Sequence, residues 1–250
     1  MSERDTAVAA AKIAGAFLKE NFYAEKKVEE SLQHDVKLEL DVKTQDMIES
    51  FLAQFYPDYA FFGEEGITGS VDSPNQWIVD PIDGTVNYFY GIPHFCVSIA
   101  LRKNGEITLG VIYDPMMNEL WVVEKGQPAT LNGRPISCSP RARLSESIVF
   151  VGHGSTSGAM DTGLDRFARV ARQVRKMRMT GSAALALAYV ATGRYDAYVE
   201  GRISLWDIAA GQLLVEAGGG SVQLKAHSTD ADKLQICATN GKIPTDQFQF

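Results

Sequence analysis

Two aspartates, Asp80 and Asp83, stand three residues apart in Trp77-Ile78-Val79-Asp80-Pro81-Ile82-Asp83-Gly84-Thr85. The apolar run before them reads as the end of a buried strand. Pro81 is expected to stop that strand, and Gly84 permits a tight turn after it. Ionised carboxylates brought together at such a place repel each other and lose hydration, so they call for cations. Hard divalent ions such as Mg2+ supply that charge and prefer oxygen ligands. The Gly84 and Thr85 amides and the Thr85 hydroxyl can donate to phosphate oxygens. The segment therefore suggests a metal site beside a phosphate; an Asx-rich turn capping a strand is the plainer alternative.

Two further acidic motifs bear on that choice. Gly63-Glu64-Glu65-Gly66 follows the aromatic run Tyr59-Ala60-Phe61-Phe62, a second buried-strand candidate. Trp206-Asp207 precedes an apolar stretch from Ile208 to Gly218 that reads as a buried helix, with Asp207 at its N-terminus. An exposed acidic turn would explain the Glu pair and a simple N-cap would explain Asp207. Acidic groups at the ends of several apolar elements together favour the metal reading.

The chain resembles the inositol monophosphatase family. The resemblance rests on Trp77 to Pro93, on Leu205-Trp206-Asp207-Ile208-Ala209-Ala210-Gly211, on the Gly-Glu-Glu motif, and on Gly181-Ser182-Ala183-Ala184 before Ala191-Thr192-Gly193-Arg194-Tyr195-Asp196. It runs from the first helix to about Gly220. It implies an α+β fold, a layered αβαβα sandwich of two lobes with the active site between them. It also implies Mg2+-dependent hydrolysis of inositol monophosphate or a similar phosphorylated polyol or sugar by a metal-activated water, a homodimer, and sensitivity to Li+. By the motifs, Glu64, Asp80 and the Ile82 carbonyl would hold one Mg2+, and Asp80, Asp83 and Asp207 a second; a third, weaker ion near Glu64 fits the same pattern. Gly84 and Thr85 would meet the phosphate. Gly181, Ser182, Ala183 and Glu200 would meet the polyol.

Catalytic roles implied by the resemblance fall on Asp41, Thr85 and Glu65. Asp41 and Thr85 would form a pair that positions the attacking water. An N-cap on a helix starting at Thr44 is the alternative for Asp41, and geometry allows both. The family's usual Thr three residues before this Asp is Leu38 here. Glu65 would hold a metal water or a neighbouring ligand, or else face solvent. Related phosphatases act on fructose 1,6-bisphosphate, phosphoadenosine phosphate or histidinol phosphate. A second phosphate would need cations, for which Arg178, Arg194 and Arg202 are candidates. His153 is placed near the site mouth or in an ordinary loop, and His94 is expected to be structural.

The elements that must position these groups can be read coarsely. Helical spacing predicts helices over residues 5–22, 44–55 and 164–177. Beta-prone runs at 95–101, 107–113 and 120–123, separated by Asn104-Gly105 and Pro115 to Asn118, predict an antiparallel meander. Strands are expected at 148–151, 195–200 and 221–224, alternating with helices as in an α/β lobe. A boundary near Ser139-Pro140 would divide an N-terminal α+β lobe, 1–140, from a C-terminal α/β lobe, 141–250. The basic cluster Arg166, Arg169, Arg172, Arg175, Lys176 and Arg178 reads as one solvated helix face; a partner surface is its alternative, and some relatives bind the transcription machinery.

Composition sets outer limits. At 250 residues the chain can bury a large core. A net charge of −7 argues against general nucleic-acid binding. Three cysteines without Cys-x-x-Cys spacing suit reduced thiols in a cytoplasmic protein. No apolar run has the ~20 residues that span a bilayer, and no apolar leader follows Ser2-Glu3-Arg4-Asp5.

Overall fold

Helix α1 (Glu3–Asn21) begins where the Ser2 hydroxyl accepts the Asp5 amide at 3.1 Å. Its buried stripe is mostly alanine, with Ala7, Ala10, Ala11, Ala14 and Leu18. A short hairpin, β1 (Val28–Ser31) and β2 (Val36–Leu38), leads into α2 (Glu39–Phe55). The structure, a computed structural model, describes residues 1–250 apart from 32–35, 71, 154–156 and 249–250. Helix α2 starts before the expected position at 44. The cause is Asp41, whose carboxylate reaches back to accept the Leu38 amide at 2.6 Å and closes the first turn. Asp41 therefore lies inside the helix, not ahead of it.

The first large sheet is formed by β3 (Ala60–Gly63), β4 (Gly66–Thr68), β5 (Asn75–Asp83), β6 (Cys96–Lys103), β7 (Glu106–Asp114), β8 (Glu119–Glu124), β9 (Thr130–Leu131) and β10 (Arg134–Pro135). Helix α3 (Thr85–Phe89) connects β5 to β6. The strand order is β10-β9-β8-β7-β6-β5-β3-β4, with the expected antiparallel meander in β6, β7 and β8. Asn104 and Asn118 take positive φ in the two turns, a conformation Asn tolerates better than most residues. Pro81 does not end β5 as the sequence suggested. The neighbour β3 stops pairing at Val79, so from Asp80 on that side of the strand has no ladder for Pro81 to break.

The second sheet takes β11 (Ile148–Val151), β12 (Lys176–Arg178), β13 (Ala197–Ile203), β14 (Ser221–Ala226) and β15 (Leu234–Thr239). Helices α4 (Ser157–Ala171), α5 (Ala183–Ala191) and α6 (Leu205–Ala217) connect them. The order is β12-β11-β13-β15-β14. β11 runs parallel to β12 and β13, while β15 is antiparallel to β13 and β14, so the sheet is mixed. The helix expected over 164–177 ends at Ala171. Lys176, Met177 and Arg178 instead alternate exposed, half-buried, exposed and pair with β11. The basic cluster is thereby split between a helix and an edge strand, and Arg166 is buried at 4 % exposure, not on a solvated face.

These parts stack as five layers. α1 and α2 cover one face of the first sheet, contributing Ala7, Leu18, Ile48 and Leu52 to a core with Val97, Ile99 and Val111. α5 and α6 fill the middle, between Ile78, Ala100 and Ile112 of one sheet and Phe150, Tyr198 and Ile236 of the other. α4 closes the far side over Val149, Val199 and Cys237. The middle layer is rich in Ala and Gly because two sheets must approach two helices there. A methyl on Gly211 would meet Leu187 at 2.5 Å, and one on Gly110 would meet the Ala210 carbonyl at 2.8 Å. The architecture is the αβαβα sandwich the resemblance implied. Among the described residues no helix is long and apolar enough to cross a membrane.

Candidate active site

Strand parity would send Asp80 and Asp83 to opposite faces of β5, since they are an odd number apart. A bulge corrects this. Asp80 pairs with Ser98 and Asp83 with Cys96, so three steps on β5 oppose two on β6. Both carboxylates then face the middle layer. Asp207 meets them from the first turn of α6, where it also accepts the Ser204 amide at 2.9 Å. One carboxylate oxygen from each of Asp80, Asp83 and Asp207 lies within 4.8 Å of the others.

The mutual repulsion of the cluster is offset only in part, by the charge of Lys233 acting on Asp207. Burial, then the charges of Glu64, Asp83 and Asp207, push the Asp80 carboxyl well above the usual carboxylate range. Burial and the neighbouring Asp83 raise Asp207 to about 7. Asp83 is also raised by burial, although it has donors: the Ser182 hydroxyl, the Ala184 amide at 2.7 Å and the Ala183 amide at 3.1 Å. The Cys96 thiol, 3.6 Å away, adds a weak one. Converging oxygen ligands that cannot all ionise alone are what a hard divalent cation fits.

Asp41 and Thr85, far apart in sequence, come together beside this cluster. The Thr85 hydroxyl lies 3.2 Å from Asp41 Oδ1 and 2.9 Å from the Ile82 carbonyl. Asp41 is 2 % exposed, with its other oxygen on the Leu38 amide. Gly84 makes this geometry possible. Its φ is +106°, and a methyl there would sit 3.0 Å from the His94 carbonyl and 3.2 Å from that of Gly181. Asn87 ties the same turn to the second half of the chain, donating at 2.8 Å to the carbonyls of both His94 and Thr180.

The carboxylates open onto a cavity of about 280 Å3. Glu64, Ile82, Gly84, Thr85, Gly181, Ser182, Ala183 and Glu200 all border it, as does His153. Glu64 sits exposed on the two-residue turn between β3 and β4, outside the tight aspartate triangle. Glu65 does not face solvent: its side chain is 7 % exposed and its carboxylate is 2.5 Å from Lys37 Nζ. Glu200 is buried at the cavity wall, where Tyr198 donates to it at 2.7 Å and burial raises it to about 8. A methyl on Gly152 would overlap Glu200 Oε2, so that glycine makes room for the carboxyl.

Sequence reasoning missed Tyr198, Gly152 and the clamp of Ser182 on Asp83. Tyr198 was within reach, because residues two apart on a strand share a face. The clamp spans 99 residues and has no local signature. The arginines proposed for a second phosphate are elsewhere. Arg194 pairs with Glu119, Arg202 with Asp230 at 2.6 Å, and Arg178 donates to the Met177 carbonyl. Among the described residues, no lysine or arginine lines the cavity.

The model of the inositol monophosphatase family matches residues 1–246. A fructose-1,6-bisphosphatase/inositol-1-monophosphatase of Thermotoga maritima is 42 % identical over 210 residues, covering 84 % of this chain and 79 % of the relative. An inositol monophosphatase of Mesembryanthemum crystallinum is 41 % identical over 247 residues, covering 95 % and 91 %. The crystal structure of the extragenic suppressor protein suhB from Bartonella henselae superposes with a TM-score of 0.88 at 36 % identity, over 95 % of this chain and 93 % of that one.

Proposed function

The chain belongs to the inositol monophosphatase family, and on that premise we propose that it is a Mg2+-dependent phosphatase releasing phosphate from inositol monophosphate. The observation that carries this reading is the buried triangle of Asp80, Asp83 and Asp207 opening on a small cavity with Glu200 in its wall. In it, Glu64, Asp80 and the Ile82 carbonyl would hold one ion, and Asp80, Asp83 and Asp207 another. With the single Thr85 hydroxyl proton turned to Asp41, the Ile82 carbonyl 2.9 Å away would keep a lone pair for the ion. Bound Mg2+ supplies charge neutralisation at the phosphate and acidifies a coordinated water.

The chain's own groups do the rest. The Asp41–Thr85 pair orients the attacking water. The Gly84 and Thr85 amides take phosphate oxygens. Glu65 steadies the neighbourhood of Glu64. The turn of Gly181, Ser182 and Ala183 frames the polyol, with the Ser182 hydroxyl holding Asp83 in place. Glu200 meets a polyol hydroxyl. The lack of a lysine or arginine in the described cavity lining supports a monophosphate over a bisphosphate. The basic cluster that suggested a transcription-machinery role is divided between α4 and β12, with Arg166 buried. We also read the protein as a cytoplasmic homodimer whose two lobes divide near residue 140; its three free cysteines suit a reducing compartment.

The test is phosphate release from myo-inositol 1-phosphate and fructose 1,6-bisphosphate, each with Mg2+ and with EDTA. Turnover of the inositol ester that EDTA abolishes is expected. Activity that survives EDTA would sink the metal assignment, and preference for the bisphosphate would sink the substrate. Glu200→Ala should raise KM for inositol phosphate about tenfold, the worth of one buried hydrogen bond. It should change KM for an aryl phosphate far less. Equal effects on both esters would remove Glu200 from the polyol subsite.

A further inference from the structure

Lys37 lies on β2, opposite Glu30 of β1. Its ammonium crosses to Glu65 Oε2 at 2.5 Å. Glu65 is well fixed: its side chain is 7 % exposed and its amide donates to Gln45 Oε1 at 2.9 Å. Glu65 also follows Glu64, which borders the cavity. The next residue after Lys37, Leu38, donates the amide that holds Asp41. The lysine is thus bonded to the neighbour of Glu64 and is one residue from the amide that holds Asp41. Its pKa is raised, first by the hydrogen bond to Glu65 and further by the charges of Glu65, Glu29 and Asp41.

Charge counting gives this placement a consequence. Two divalent ions carry four positive charges, which match Glu64, Asp80, Asp83 and Asp207. Glu65 and Asp41 stand outside that balance; Asp41 is held by the Leu38 amide and the Thr85 hydroxyl, which leaves the charge of Glu65 to be met. A nearly buried carboxylate with no counter-charge would recruit a cation from solution. Resting on the phosphatase reading above, we propose that Lys37 is a resident cation of this site, whose ammonium neutralises Glu65 and limits the divalent ions to two. An ammonium is a compact point charge on a flexible stem, suited to such a place. Lys37 acts through Glu65 and touches no reacting atom, so it is a positioning residue.

The test counts ions directly, by equilibrium dialysis against Mn2+ with elemental analysis, on wild type, Lys37→Met, Lys37→Arg and the double variant Lys37→Met/Glu65→Gln. The wild type and Lys37→Arg should bind about two ions per chain, Lys37→Met about three, the added one weaker, and the double variant about two again. Glu65 is only 7 % exposed, so Lys37→Met, which leaves that carboxylate unpaired, should melt below wild type without Mn2+ and recover with Mn2+ or in the double variant. Unchanged stoichiometry in Lys37→Met overturns the proposal while leaving the phosphatase intact, as does a third ion in the wild type. No Mn2+ on the wild type overturns both.

Discussion

Asp80→Asn should remove about three orders of magnitude or more from kcat/KM and, in the same protein without divalent ions, raise the melting temperature. The loss follows from the central place of Asp80, whose carboxylate is the one assigned to both ions. Metal stabilisation of the developing charge is worth several kcal/mol, and each 1.36 kcal/mol is about a factor of ten. The gain follows from the same burial. Asp80 is 2 % exposed and crowded by Glu64, Asp83 and Asp207. Asn keeps its volume and keeps an oxygen for the Ile82 amide, which donates to Asp80 Oδ1 at 3.0 Å. A rise of several degrees is expected, since about 1 kcal/mol moves Tm by 2–4 °C in a chain of this size.

The sign with pH checks the cause. Asp80, Asp83 and Asp207 all have carboxyls raised in the folded, metal-free protein, Asp207 to about 7. A group whose folded pKa exceeds its unfolded value stabilises fully below the unfolded value, about 3.9 for Asp. That contribution is lost as pH rises through the folded pKa. Metal-free wild type should therefore lose stability from about pH 4 through neutrality, and the advantage of Asp80→Asn should grow over the same range. Divalent ions should reverse the trend for wild type only, more strongly at higher pH, because metal and protons compete for the same oxygens. Thermal melts with and without Mg2+ at several pH values decide it. A variant less stable than metal-free wild type at neutral pH would show that the aspartates are not strained by one another.

What the sequence made legible depended on range. The meander β6 to β8 could be read because its turns, Asn104-Gly105 and Pro115 to Asn118, carry their own backbone chemistry. The acidic motifs were legible as strand and helix ends for the same local reason. Pro81 misled because its effect depends on a neighbour: the pairing of β3 with β5 ends at Val79, so no ladder was there to break. The bulge that turns Asp80 and Asp83 to one face is likewise set by β6, not by β5 alone. Val170, Val174 and Met177 keep helical spacing, yet the chain leaves α4 after Ala171 to pair with β11. Asp41 emerged from family resemblance, while its place in the first turn of α2 rests on a side chain reaching back to Leu38. Glu65 could be exposed or buried from sequence; only the partner on β2 decides it.

Thr85→Ala is the second large effect. The Thr85 hydroxyl has one proton and two lone pairs. With that proton directed at Asp41, a lone pair faces the cavity and can accept a proton from the attacking water. Alanine removes both functions, and a positioned acid–base group contributes about 10²–10⁴-fold, which should appear in kcat. KM for inositol phosphate and the number of bound ions should change little. Thr85→Ser keeps the hydroxyl and should recover activity to within about tenfold of wild type. Asp41→Asn should resemble Thr85→Ala. The Leu38 amide needs an acceptor, so the oxygen of the substituted amide turns toward it and the NH2 group faces Thr85, reversing that hydrogen bond. The Thr85 hydroxyl proton would then point away from position 41, and no carboxylate would be there to receive it. Steady-state kinetics on the three variants at saturating Mg2+ test the arrangement. Thr85→Ala within tenfold of wild type, or Thr85→Ser as impaired as alanine, would show that the water is oriented by other groups.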